Sequence, residues 1–168
     1  MLVCGMTCHG RFIRDFQLIA IFKLKMAKKS TLVQEQFFKF NCAQTVLSLF
    51  AKDVGLDETT ALIIASGFGG GMACAETCGA VTGSYMVIGM KHGHFTPNDP
   101  EAKARTKMLI RSFNEKFKAI HGTLVCKELI GFDISTPEGN AAAHKEEVFD
   151  KKCPAFIQTA CDILEEEF

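Results

Sequence analysis

From Ser30 onward the apolar residues return at three- and four-residue steps, and that period constrains the fold more than anything else in the chain. Val33, Phe37, Phe38, Phe40, Val46, Leu47, Leu49 and Phe50 follow it with no turn residue between Thr31 and Lys52, which predicts one amphipathic helix. Gly55 stops that segment, and Asp57 caps a second one holding Thr60, Leu62, Ile63 and Ile64. A third helix is expected from Ala73 to Lys91, ended by Gly93, after the glycine run Gly67-Phe68-Gly69-Gly70-Gly71. Pro97-Asn98-Asp99-Pro100 opens a long amphipathic helix to His121, which Gly122 closes. Leu124–Ile130 reads as a short helix, Ser135–Asn140 as a polar turn, and Cys153-Pro154 as the start of a last helix through Leu164. Alternating β-branched runs and Asn-Gly hairpin signals are missing. The expectation is an all-α, single-domain bundle of five to seven helices.

The 168 residues give room for one core. An apolar fraction of 48% with 23% charged residues excludes wholesale disorder. The net charge is zero, so no overall basic field suits nucleic acid. The zero hides an asymmetry. Residues 1–29 carry Arg11, Arg14, Lys23, Lys25, Lys28 and Lys29 against Asp15 alone, a net +5 that the remainder offsets. They read as a basic extension, non-native or loosely attached, ahead of a cysteine-containing domain over 30–168. Met26-Ala27-Lys28-Lys29 resembles a natural start. The apolar run Phe16–Phe22 is cut by Lys23 and Lys25 and lacks a small-residue cleavage site, so it does not read as a signal peptide. No run approaches the ~18 apolar residues of a membrane-spanning helix. A cytoplasmic location is expected.

Eight cysteines stand at 4, 8, 42, 74, 78, 126, 153 and 161. In a secreted chain they would suggest a disulfide framework, but a chain this apolar needs no staples, and thiols kept for metal or redox chemistry are the better reading. Cys4-Gly5-Met6-Thr7-Cys8-His9 resembles a haem attachment site with one residue too many between the cysteines. On the expected third helix Cys74 and Cys78 share a face, with β-carbons about 5–6 Å apart, a spacing that suits two ligands of one metal better than a disulfide. Small buried core cysteines are the plainer alternative. Cys153 reads as a helix N-cap before Pro154, with Lys151 and Lys152 beside it, so the positive helix end favours a reactive thiolate. The glycine run is expected to turn the chain so that Cys74 and Cys78 approach a cofactor. Gly79, Ala80, Gly83, Ser84 and Gly89 form a small-residue side on the third helix, suited to close approach by another helix or by a bound group. Glu76, His92 and His94 read as solvated residues.

Phe40-Asn41-Cys42-Ala43-Gln44, the glycine run with Met72, Cys78-Gly79-Ala80-Val81-Thr82-Gly83, Cys126 and Cys153 together resemble the C-GCAxxG-C-C family, named for inferred redox activity. The resemblance spans roughly Gln36 to Ile163 and is more distantly similar to part of the split-Soret cytochromes, which bind an iron–sulfur cluster. It implies that Cys42, Cys78, Cys126 and Cys153 act together, with Cys74 and Cys161 as additions. Four thiols drawn from four segments converge only through the fold, and four thiolates suit an iron–sulfur cluster or structural zinc. The expectation is a redox-active protein whose clustered cysteines ligate iron–sulfur or cycle between dithiol and disulfide. Cys74 is a further metal ligand in this scheme, and Gly69, Gly70, Gly71, Gly79 and Gly83 shape the cofactor site. The alternatives are zinc at the same cysteines without electron chemistry, or no cofactor in a helical module that pairs with a second copy. The redox partner and substrate stay open.

Overall fold

The structure is a computed structural model that describes residues 32–167. The basic extension, Cys4 and Cys8 therefore lie outside the described residues. The described chain is all-α: α1 over 32–37, α2 (Cys42–Phe50), α3 (Glu58–Ala65), α4 (Gly79–His92), α5 (Pro100–His121), α6 (Cys126–Ile130), α7 (Pro137–Lys145) and α8 (Val148–Glu167). Strands are absent among the described residues, and an isolated antiparallel bridge pairs Thr77 with Val125.

The helix expected over Thr31–Lys52 is broken. Residues 38–40 turn, and Asn41 takes extended backbone before α2. Its side-chain oxygen accepts from the Ala43 and Gln44 amides, each at 3.0 Å, while the Asn41 amide donates to Gln44 Oε1 at 3.1 Å. Such reciprocal capping satisfies amides that a continuous helix would have paired internally, which is why apolar periodicity alone missed the break. Asn41 Nδ2 also donates to the Ser66 carbonyl, and Gln44 Nε2 to the Leu62 carbonyl, tying α2 to the end of α3.

The segment Gly70–Ala75 also departs from expectation. Gly70, Gly71, Met72, Ala73 and Ala75 all have φ between 56° and 63°, a left-handed turn in place of the first turns of a right-handed helix. Glycine enters that region freely, whereas alanine and methionine do so at a cost of about 1–2 kcal/mol each. A Cβ on Gly71 would stand 2.4 Å from the Glu76 nitrogen, so the turn closes tightly on itself. The right-handed helix begins only at Gly79, with Cys78 as N-cap.

Around α4 the helices pack into one core. A Cβ on Gly83 would sit 2.9 Å from the Ala43 carbonyl oxygen and 3.0 Å from Val46 Cβ, so glycine permits α2 to approach the α4 backbone. The small-residue side is thus occupied by α2 of the same chain, while Gly89 faces open space. On the other side, Phe113 and Phe117 of α5 are fully buried and stacked with ring centroids 5.9 Å apart. The aromatic series continues through His121, 4.7 Å from Phe117, to Phe156 of α8, 5.0 Å from His121. Asp99 caps α5, Pro100 is its first residue, and Gly122 ends it at φ 80°, as the sequence predicts.

The last third corrects the sequence reading twice. The expected polar turn Ser135–Asn140 is the start of α7, capped by the Thr136 hydroxyl accepting from Gly139, with Pro137 first in the helix. Thr-Pro at a helix entrance is a recognisable start signal. Glu147, at φ 53°, then reverses the chain into α8, which begins at Val148. Cys153 is consequently not an N-cap: it lies inside α8, and the helix runs on through Pro154. Proline there removes the amide that would have reached the Asp150 carbonyl, yet the buried face of α8 (Val148, Cys153, Phe156, Ile157, Ala160) holds the helix together across that gap. No described helix is long and apolar enough to cross a membrane.

Candidate functional site

Cys42, Cys78, Cys126 and Cys153 come from four segments and line one cavity of about 260 Å³. Each is placed by a different local device. Cys42 is the first residue of α2, fixed by the Asn41 capping box. Cys78 is the N-cap of α4. Cys126 opens α6 and is drawn toward Cys78 by backbone pairing: its amide donates to the Glu76 carbonyl at 2.6 Å, and the Cys78 amide donates to the Leu124 carbonyl at 2.8 Å. An exposed ion pair, Lys127 to Glu76 at 3.1 Å, braces the same two segments. Cys153 descends from α8, held against α6 by Lys152 Nζ donating to the Ile130 carbonyl at 2.9 Å.

All four thiols are between 3% and 9% exposed, and none of the described cysteines forms a disulfide. Their ionisation is sharply unequal. The adjoining Cys153 thiol, followed by burial and the charges of the neighbouring thiols, pushes Cys42 well above the usual cysteine range. The adjoining Cys42 thiol holds Cys153 below it, assisted by Lys152 and opposed by burial and Asp150. Burial pushes Cys78 up to about 11, although the amides of Ala80 and Val81 at the start of α4 partly offset it. Burial, then the charges of Cys78 and Cys153, pushes Cys126 up to about 12. Cys153 is therefore the one of the four whose ionisation is eased, by the adjoining Cys42 and not by the helix terminus that the sequence suggested.

The remaining lining is largely hydrocarbon: Phe37, Phe40, Ile130, Phe149 and Phe156, with Gly70, Gly79 and Asn41. His144 stands exposed at the cavity and packs its ring on Phe149, centroids 4.9 Å apart. This histidine is a residue that sequence reasoning missed, because α7 was read as a turn; the Thr136-Pro137 start signal would have placed it on a helix.

Other candidates fall elsewhere. Cys74 sits exposed on the left-handed turn, outside the lining, so it shares no helix face with buried Cys78. Cys161 is buried in α8, away from the lining. Gly70 and Gly79 border the cavity, Gly69 abuts the Asn41 side chain, Gly71 closes on Glu76 and Gly83 receives α2. Four thiols are the donor set of a tetrahedral sulfur site. Among the described residues, however, no group of three or more His, Cys, Asp or Glu side chains is placed to hold a metal ion.

No curated protein and no solved structure is significantly similar to the chain. One family model matches residues 40–167, more than half of the 168, under the description "Putative redox-active protein (C_GCAxxG_C_C)". Its matched span takes in all four cysteines of the cavity, and the chain belongs to this C_GCAxxG_C_C family.

Proposed function

We propose that the protein is a thiol–disulfide redox protein whose working couple is Cys42 and Cys153. The observation that carries this reading is the placement of Cys42 and Cys153, both buried, in one cavity shared with Cys78 and Cys126. A thiolate is the attacking species in such chemistry, so Cys153 acts as nucleophile, and Cys42 then gives up its proton and resolves the intermediate as thiolate. In the oxidising direction one S–S bond forms, and two electrons and two protons leave to an acceptor. The high values at Cys78 and Cys126 keep those thiols neutral beside Cys153. A couple held as dithiol fits the reducing cytoplasm.

A second reading, an iron–sulfur cluster or zinc at Cys42, Cys78, Cys126 and Cys153, rests on their sharing one cavity. The donor chemistry fits, but the placement of the sulfurs does not, so no step is routed through a metal.

The test is oxidation of the reduced full-length protein with diamide, followed by peptide mapping. The expected product is a Cys42–Cys153 disulfide that Cys42→Ser abolishes. Unreacted thiols, or cross-links only at Cys74 or Cys161, would overturn the couple. Iron, sulfide and zinc analysis of anaerobically purified protein decides the second reading.

A further inference from the structure

The cavity is larger than the thiols need, and its lining says what else it accommodates. At about 260 Å³ it exceeds the ~150 Å³ space that admits a benzene ring, so one or two fused rings fit. Phe37, Phe40, Phe149 and Phe156 offer ring faces and edges for stacking. No Asp, Glu, Lys or Arg lines it, and nearby Lys152 is turned away to the Ile130 carbonyl. A charged disulfide such as glutathione would enter without a counter-charge, at the desolvation cost of a buried ion. The polar lining side chain Asn41 is committed to capping α2. His144, in contrast, stands exposed at the cavity with its ring on Phe149 and offers a polar side chain that caps no helix.

We propose that this cavity is the acceptor site of the couple, built for an uncharged ring oxidant of the quinone class, with His144 as donor to a quinone oxygen. The inference rests on the dithiol reading above. In the step, the Cys42 and Cys153 sulfurs each give one electron and join in one S–S bond. The quinone takes both electrons and two protons, and its two carbonyls become the hydroxyls of the hydroquinone. One proton leaves Cys42; the other comes from Cys153, or from solvent where Cys153 is already ionised.

The experiment uses the reduced full-length protein with 2,3-dimethyl-1,4-naphthoquinone, whose blocked ring positions prevent thiol addition, and with its ring-sulfonated counterpart. Thiol loss and hydroquinone formation are followed together. The neutral quinone is expected to oxidise the couple at least ~10-fold faster, because the sulfonate must shed its hydration on entry. In Phe149→Ala that preference falls toward one. Equal rates in the unmodified protein, or a faster sulfonated quinone, overturn the proposal without recourse to any variant. A disulfide formed by diamide but by neither quinone overturns the acceptor site and leaves the couple standing. No Cys42–Cys153 bond under any oxidant removes both.

Discussion

Cys78 shows how far a side chain's chemistry depends on where its neighbours leave it. The same thiol that would ionise near 9 in water is pushed up to about 11 by burial, and its partial relief comes from two amides at the start of α4. Raising a folded-state value above the unfolded one favours the folded protein only while the unfolded thiol stays protonated. The contribution is therefore complete below pH 9 and is lost as pH rises toward 11. At pH 10.5 the loss from Cys78 alone is about 2 kcal/mol. Urea unfolding of the reduced protein at pH 8 and pH 10.5 measures the fall, and Cys78→Ala is expected to shrink the difference between the two pH values by about that amount. An unchanged difference in the variant would mean that Cys78 is better solvated than its 3% exposure implies. Cys153 shows the opposite case: the adjoining Cys42 thiol outweighs burial and brings its ionisation down.

At the level of elements, glycine carries opposite meanings at two positions of one helix. Gly83 lies where α2 presses on α4, and an added Cβ would meet the Ala43 carbonyl at 2.9 Å. Gly89, six residues on, meets nothing within 4 Å. Alanine gains about 1 kcal/mol over glycine in a helix interior, so Gly89→Ala is expected to stabilise by up to about that much. At Gly83 the same gain is exceeded by overpacking against backbone, and Gly83→Ala is expected to destabilise by about 1–2 kcal/mol. Thermal or urea unfolding of the two variants checks the signs, and equal shifts would contradict the packing described. The sequence showed a small-residue side on this helix, but not which of its members the fold uses. Helical period says that residues share a side, whereas only a neighbouring helix says which of them are covered.

For the molecule as a whole, the couple joins distant parts of the chain. Cys42 and Cys153 lie 111 positions apart, so a bond between them restricts the unfolded chain strongly. The diamide-oxidised protein is expected to be more stable than the reduced protein by about 2–4 kcal/mol, seen as a higher urea midpoint that reverts on reduction. A lower midpoint on oxidation would show that the thiols must leave their native positions to bond. The aromatic series from Phe113 through Phe117 and His121 to Phe156 reaches from the centre of the core to the cavity wall, so the site is built on the packed interior and not on a surface loop.

Local signals in the sequence determined that the described chain is helical and where α5 begins and ends, while the grouping of four cysteines came from the family resemblance. Those features rest on periodicity, on caps such as Asp99 and Gly122, and on residue types at fixed spacing, all of which act within a few positions of the chain. The tertiary structure decided that Cys74 stands outside the cavity, that Cys153 lies within α8 rather than at its start, and that His144 reaches the cavity rim. Each of these depends on contacts between segments remote in sequence. Backbone pairing of 76–78 with 124–126 sets where the left-handed turn must end, and burial of the α8 face carries that helix through a proline that local preference would put at a boundary. The ease with which Cys153 ionises belongs to the same class, because its cause is a thiol 111 residues away.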